Sequence, residues 1–267
     1  MSLNTGGIAD EGLTVFPDFD CGGKRFISAS FSAWGARAYN EDRTGWNESG
    51  ERACWALADG LGGYQGGGRA AELAVESGLD AYAHSPGTDL VQTLEQAIRA
   101  ADARIHAVQQ HESGHAQMRS TLVMLGVSEF RFAWAHTGDS RLYHFRDGQL
   151  RWRTRDHSAV QLLVAAGELD ETQIAKHPDR SRLVSCLGGE NSLLVSVRAG
   201  ADAPQTGDAF LLCSDGLWEH FTDAALQAWM IRSADQPGQL LESLAREVDV
   251  AARPDQDNYS AVFIAVC

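Results

Sequence analysis

The spacing of apolar and polar positions divides the chain into recognisable elements. "RFISASFSAW" (residues 25–34) alternates and predicts a strand, and the apolar run "CWALAD" (54–59) predicts a second, buried one. Beyond a glycine-rich stretch, Ala71, Val75, Leu79 and Tyr82 recur at helical spacing. A second helix follows Asp89, an N-cap with Gln92 three residues on, and carries Leu90, Leu94, Ile98, Ala101, Ile105 and Val108 along one face. Four strand-like runs come next: "STLVMLGV" (120–127), "FRFAWAHTG" (130–138), "RLYHF" (141–145) and "QLRWR" (149–153). Asp147-Gly148 joins the last two, a pair suited to a type I′ turn, so the sheet is at least partly antiparallel.

Residues 156–191 are polar and read as mixed helix and loop, an excursion from the core. "SLLVSV" (192–197) and "AFLLCSDG" (209–216) return to strand, helices follow at about 222–231 and 238–250, and "NYSAVFIAV" (258–266) is the last strand. This order fits an α+β fold with β-sheets sandwiched between helix layers better than a doubly wound parallel sheet. Residues 1–20, rich in glycine and acid, predict a flexible N-terminal arm ahead of one domain over 21–267.

Charge narrows the function. Twenty-two basic against 36 acidic residues give a net charge of −14, which opposes a nucleic-acid backbone. An acidic protein working on an anionic substrate needs local arginine or metal ions to overcome its own field. Five cysteines without a CxxC pair predict free thiols in a reducing compartment, and the expected location is the cytoplasm. No apolar run reaches the roughly 18 residues a membrane span needs, so no membrane insertion is expected.

"ALADGLGGYQGGG" (56–68) places six glycines within nine positions after Asp59. Such density implies positive φ or very close backbone approach. The expectation is a loop that turns around an occupied site and enters the helix near residue 69. "GYQGGGRA" has the spacing of a phosphate-binding loop, but Arg69-Ala70 stand where Lys and Ser or Thr are required, which argues against nucleotide binding.

Acidic residues recur at predicted strand ends: Glu41-Asp42 after the first strand, then Asp59, Asp139 and Asp215, with Asp257 just before the last strand. Any single Asp before Gly is most often a turn or cap, but five such sites together change the balance. Carboxylates converging from separate strands repel and need a cation. An all-oxygen set suits Mg²⁺ or Mn²⁺, and Gly60, lacking a side chain, would let its carbonyl approach an ion beside Asp59.

"RAYNED" (37–42), "ADGLGG" (58–63), "TGDSRLY" (137–143), "CSDGLWE" (213–219) and "DQDNYSAV" (255–262), with "DHS" (156–158) and "SRLVSCLGG" (181–189), resemble in order and spacing the metal-dependent protein phosphatases of the type 2C-like family. The resemblance covers roughly residues 26–266. It implies a central antiparallel β-sandwich flanked by helices on both faces, with two Mg²⁺ or Mn²⁺ ions in a cleft at one edge. By motif, Asp59 bridges the ions, Gly60 binds one through its carbonyl, Asp215 and Asp257 hold the other, and Glu41 and Asp42 act through metal-bound waters. Arg37 grips the phosphate, and Asp139 with Asp215 supports a third, weaker ion. Residues 156–190 match a variable flap beside the cleft.

The implied activity is hydrolysis of phosphoserine and phosphothreonine in proteins by a water bridging the two ions, opposite a cognate Ser/Thr kinase; a monomer is expected. A phosphoprotein-binding module of the same fold without turnover is the other reading, marked by loss of a metal Asp; Asp59, Asp215 and Asp257 are all present. One departure stands out: many relatives have His after the Asp-Gly of the second motif, as a proposed general acid, where this chain has Leu61. Protonation of the leaving group then falls to a metal-bound water, since none of the nine histidines is a clear substitute from sequence.

Overall fold

A computed structural model describes residues 11–61, 66–111, 116–233, 236–251 and 253–267. Two antiparallel sheets face each other. The first runs β1 (Gly12–Val15), β3 (Lys24–Ala33), β13 (Tyr259–Val266), β12 (Asp208–Cys213), β9 (Arg141–Arg146) and β10 (Gln149–Arg153), with β2 (Phe19–Cys21) also on β3. The second runs β11 (Ser196–Ala199), β8 (Phe132–Thr137), β7 (Leu122–Ser128), β5 (Arg52–Leu61) and β4 (Asp42–Ser49), with β6 (Arg119–Ser120) on β5.

Large aromatics fill the space between the sheets. Trp46, Trp55, Phe26, Phe132, Trp134 and Phe210 belong to one buried cluster with Leu57, Leu142, Val262 and Ile264. Outside the second sheet lie α1 (Gly66–His84) and α2 (Leu90–His111), whose apolar stripes meet Ala56, Ala58, Leu122 and Met124. Outside the first lie α5 (Asp223–Ser233) and α6 (Pro237–Ala251), packed through Leu226, Leu240, Leu241 and Leu244 against Tyr143, Leu211 and Phe263. The result is four layers, helix, sheet, sheet, helix, as expected.

Local signals behave as their chemistry demands. Asp89 Oδ1 accepts from the backbone N–H of Val91 and Gln92 and so caps α2. Asp147 and Gly148 take φ of 52° and 73° between β9 and β10, as a type I′ turn requires.

Four expectations need correction. Residues 11–20 are not a loose arm: β1 and β2 pair with β3, and Phe16 and Phe19 are buried; residues 1–10 lie outside the described residues. Asp42 does not end the first strand but opens β4, which the sequence pattern did not reveal. The helix begins at Gly66 rather than near 69, while Gly62 and Gly63 lie outside the described residues. The strand expected at 192–197 is only Ser196–Ala199; Leu193 and Val195 ahead of it and Val197 within it all pack against the cluster under α1 and α2. Between β10 and β11 stand α3 (Ala159–Ala165), a 3-10 turn (Glu171–Lys176) and loop.

Candidate active site

At one end of the sandwich the chain brings its acids together by strand pairing. Asp42 and Asp59 are directly opposite on β4 and β5, so both carboxyls leave the same face as close neighbours. Asp59 is two residues short of the end of β5, and its backbone is fixed from the residue that joins β6 to β7: its N–H donates to Thr121 Oγ1 at 2.9 Å and its carbonyl accepts from Thr121 N at 2.8 Å. Thr121 Oγ1 also meets Ser140 Oγ at 2.7 Å, tying Asp59 to the turn that carries Asp139.

Asp215 is the first residue of α4 (Asp215–Trp218). Ser214 stands at the cap position yet makes no cap bond, because its hydroxyl donates to Asp42 Oδ2 at 2.7 Å. Trp218 Nε1 donates to the Asp139 carbonyl at 3.0 Å, and the Arg141 guanidinium lies 3.4 Å over the Trp218 ring while pairing bidentately with Asp156. A Cβ on Gly216 would stand 2.0 Å from the Asn258 carbonyl and 3.4 Å from Asp257 Cβ, so glycine lets α4 press against the segment bearing Asp257.

Arg37 sits on the loop between β3 and β4. Asn258 clamps that loop, donating to the carbonyls of Trp34 and Tyr39 at 2.8 and 2.9 Å and accepting from Glu41 N at 2.8 Å. Arg37 Nη2 reaches Asp257 Oδ2 at 2.7 Å, both side chains about half exposed. A cleft of about 280 Å³ opens here, lined among others by Arg37, Arg180, Asp215, Glu219, His220 and Asp257.

The glycine run has a packing explanation. A Cβ on Gly60 would lie 2.0 Å from the Gly67 carbonyl, and one on Gly67 would lie 2.5 Å from Glu41 Oε1. The start of α1 therefore touches β5 backbone to backbone, and the Glu41 carboxylate faces the N–H groups of Gly67 and Gly68, where a helix start favours negative charge.

Electrostatically the site is unbalanced. Burial raises the Asp59 carboxyl well above its ordinary range, and Asp42, Asp215, Asp139 and Asp257 raise it further. Asp215 is pushed up in the same way, first by burial and then by Asp139 and Asp257. Burial carries Asp42 to about 6 and Asp139 to about 7. Asp42 Oδ1 and Glu41 Oε1 are buried without a hydrogen-bond partner.

Among the described residues no group of three or more acidic, His or Cys side chains is gathered tightly enough to hold an ion by itself. A hard octahedral ion that keeps several waters needs only one or two carboxylates, so a mutually repelling acid set with an orphaned oxygen still fits Mg²⁺ or Mn²⁺.

The family model "Protein phosphatase 2C" matches residues 32–248. The chain belongs to the protein phosphatase 2C family. The Serine/threonine protein phosphatase PstP of Mycobacterium tuberculosis is 33% identical over 229 residues, 86% of this chain but 42% of PstP, so this chain spans about two fifths of that relative's length. The Serine/threonine phosphatase stp of Listeria innocua is 31% identical over 72% of this chain and 77% of its own.

Among family structures, the crystal structure of the M. tuberculosis phosphatase PstP/Ppp superposes with a TM-score of 0.76 at 33% identity, over 90% of this chain and 98% of that one. A second structure, the PstP catalytic domain in complex with two manganese ions, gives 0.72 at 32% identity over 90% and 98%.

Several residues of this site escaped sequence reading: Ser214, which binds Asp42; Thr121, which fixes Asp59; Asn258, which clamps the Arg37 loop; and Gln256 and His220 at the cleft wall. A serine before Asp-Gly or an asparagine before a strand reads as ordinary turn chemistry, and only the fold shows what each holds.

Proposed function

We propose that this chain is a metal-dependent protein phosphatase that hydrolyses phosphoserine and phosphothreonine in proteins by direct attack of water, using two Mn²⁺ or Mg²⁺ ions. The observation that carries the reading is the mutually repelling set of buried Asp42 and Asp139 with half-buried Asp59 and Asp215, beside a cleft that presents an arginine. Asp59, the Gly60 carbonyl, Asp215 and Asp257 would hold the ions, with Asp42 and Glu41 acting through water and Asp139 with Asp215 serving a third, weaker ion. When bound, such ions neutralise phosphoryl oxygens and lower the pKa of water.

The chain supplies the rest. Arg37 offers a planar fork that grips a phosphate bidentately, as Lys could not, and the Asn258 clamp holds its loop in place. Asp257, paired with Arg37, keeps that fork at the cleft mouth. Among the described residues no helix is long and apolar enough to cross a membrane, and Cys21, Cys54 and Cys213 are buried free thiols, in keeping with phosphoprotein substrates in a reducing cytoplasm opposite a Ser/Thr kinase.

The test is hydrolysis of para-nitrophenyl phosphate and of a phosphothreonine peptide, with Mn²⁺ or with chelator, by the unaltered protein and Asp59→Asn. Turnover should need Mn²⁺ and vanish in the variant. Equal turnover by both proteins would remove the mechanism, whereas an inactive protein that still binds the phosphopeptide would support the binding-module reading.

A further inference from the structure

Departure of a serine or threonine alkoxide demands a proton on the oxygen as the P–O bond breaks. Leu61, after Asp59-Gly60, has none to give, but the fold brings His220 to the cleft wall with Arg37, Asp215 and Asp257. Sequence spacing hid it, because His220 lies beyond α4 and only the packing of α4 against the start of β13 turns it inward.

The ring is held in one sense. Gln256 Nε2 donates to the carbonyls of Gly216 and Asp257 at 3.1 and 3.3 Å, which fixes the amide and leaves Oε1 facing His220 Nε2 at 2.7 Å. An amide oxygen only accepts, so Nε2 carries a hydrogen, and Nδ1 is the nitrogen that Gln256 does not hold. Through Gln256 the ring is in register with the backbone of both Gly216 and Asp257, the arrangement of a proton-transfer group oriented by a third residue. Glu219, next in the chain and paired with Arg180 at 2.5 Å, lines the same cleft wall as the ring.

We propose that His220 is the general acid: its Nδ1–H passes a proton to the departing serine or threonine oxygen. The bonding pair of the breaking P–O bond goes to that oxygen, and the neutral imidazole regains its proton from solvent. The assignment rests on the phosphatase reading above.

The experiment compares His220→Gln with the unaltered protein, in Mn²⁺, on a phosphothreonine peptide and on para-nitrophenyl phosphate, whose leaving group needs little protonation. The expected result is a loss in kcat of roughly 10²-fold or more on the peptide against a loss under about tenfold on the aryl ester, within the range general acids supply. Across a series of aryl phosphates the variant should also depend more steeply on leaving-group pKa. Similar losses on all substrates, or no loss on the peptide, would overturn the role of His220 while leaving the phosphatase reading intact. Failure of the unaltered protein to turn over either substrate would overturn both.

Discussion

Asp42 and Asp208 are each 1% exposed, yet the fold treats them in opposite ways. Asp208 accepts from His144 Nε2 at 2.9 Å, from Arg146 Nε and Nη2 at 2.7 and 3.0 Å, and from Gln205 N at 2.9 Å. Burial alone would raise its carboxyl, but the bonds from His144 and Arg146 outweigh burial and hold it below its ordinary value. Asp42 has a hydroxyl on one oxygen and nothing on the other, and burial takes it to about 6. A buried charge is tolerated when it is paired and hydrogen-bonded. The chain completes one aspartate from its own residues and leaves the other incomplete, beside further acids, at the cleft. That asymmetry marks the second region as built for something from outside.

The largest expected effect removes one acid from the incomplete set. Asp59→Asn should lower Mn²⁺-dependent kcat/KM by roughly 10³-fold or more, since metal stabilisation of the transition state is worth several kcal/mol. The same change relieves repulsion, so the variant should melt higher than the unaltered protein in chelator. Added Mn²⁺ should raise the melting temperature of the unaltered protein and leave the variant nearly unmoved. A thermal shift of equal size in both would show that Asp59 holds no ion.

Asp208→Asn strikes the completed cluster. It leaves Arg146 and His144 facing an amide, and breaking a buried pair costs about 3 kcal/mol. Urea unfolding should show that loss, with kcat on para-nitrophenyl phosphate retained at temperatures where the variant stays folded. A stability change well under 1 kcal/mol would erase the contrast with Asp42.

The two regions should also respond oppositely to pH. An unfolded aspartate titrates near 4. Asp42 and Asp139, raised to about 6 and about 7, keep protons in the folded chain that the unfolded chain has already lost. Their contribution therefore falls as pH rises from about 4 to about 7, whereas that of lowered Asp208 is present above about 4 and lost below it. Urea midpoints measured across this range in chelator should decline toward neutrality, and Mn²⁺ should flatten the decline. A midpoint that rises steadily with pH in chelator would contradict the unbalanced set.

The sequence made the frame readable where one rule governed each element: the apolar run of β5, the stripe and Asp89 cap of α2, the Asp147-Gly148 turn. It hid β4, because "DRTGWNES" buries Thr44, Gly45 and Asn47 without alternation or an apolar run. That strand is covered on both sides, by α1 on one face and by the sandwich at Trp46 on the other. The acids Asp59, Asp139, Asp215 and Asp257 were legible as repeated strand-end carboxylates. The groups that hold them were not, because Ser214, Thr121 and Asn258 act across 172, 62 and 217 to 224 residues of chain.

The smallest effect separates two neighbouring glycines that sequence reading treated alike. At Gly66 a Cβ would meet only Met118, its Cβ at 3.6 Å and its Cα at 3.9 Å, both ordinary contacts. At Gly67 it would meet Glu41 Oε1 at 2.5 Å and the Gly60 carbonyl at 2.7 Å. Ala is favoured over Gly inside a helix by up to about 1 kcal/mol, so Gly66→Ala should be neutral or slightly stabilising. Gly67→Ala should cost about 1 to 2 kcal/mol net, because forced contacts of this kind cost about 1 to 3 kcal/mol. The cost should come with weaker Mn²⁺ binding, since the clash pushes apart Glu41 and the Gly60 carbonyl, one from each side of the Asp42 and Asp59 pair. Equal melting temperatures for the two variants would mean that the glycines serve the loop's conformation and not the contact between α1 and β5.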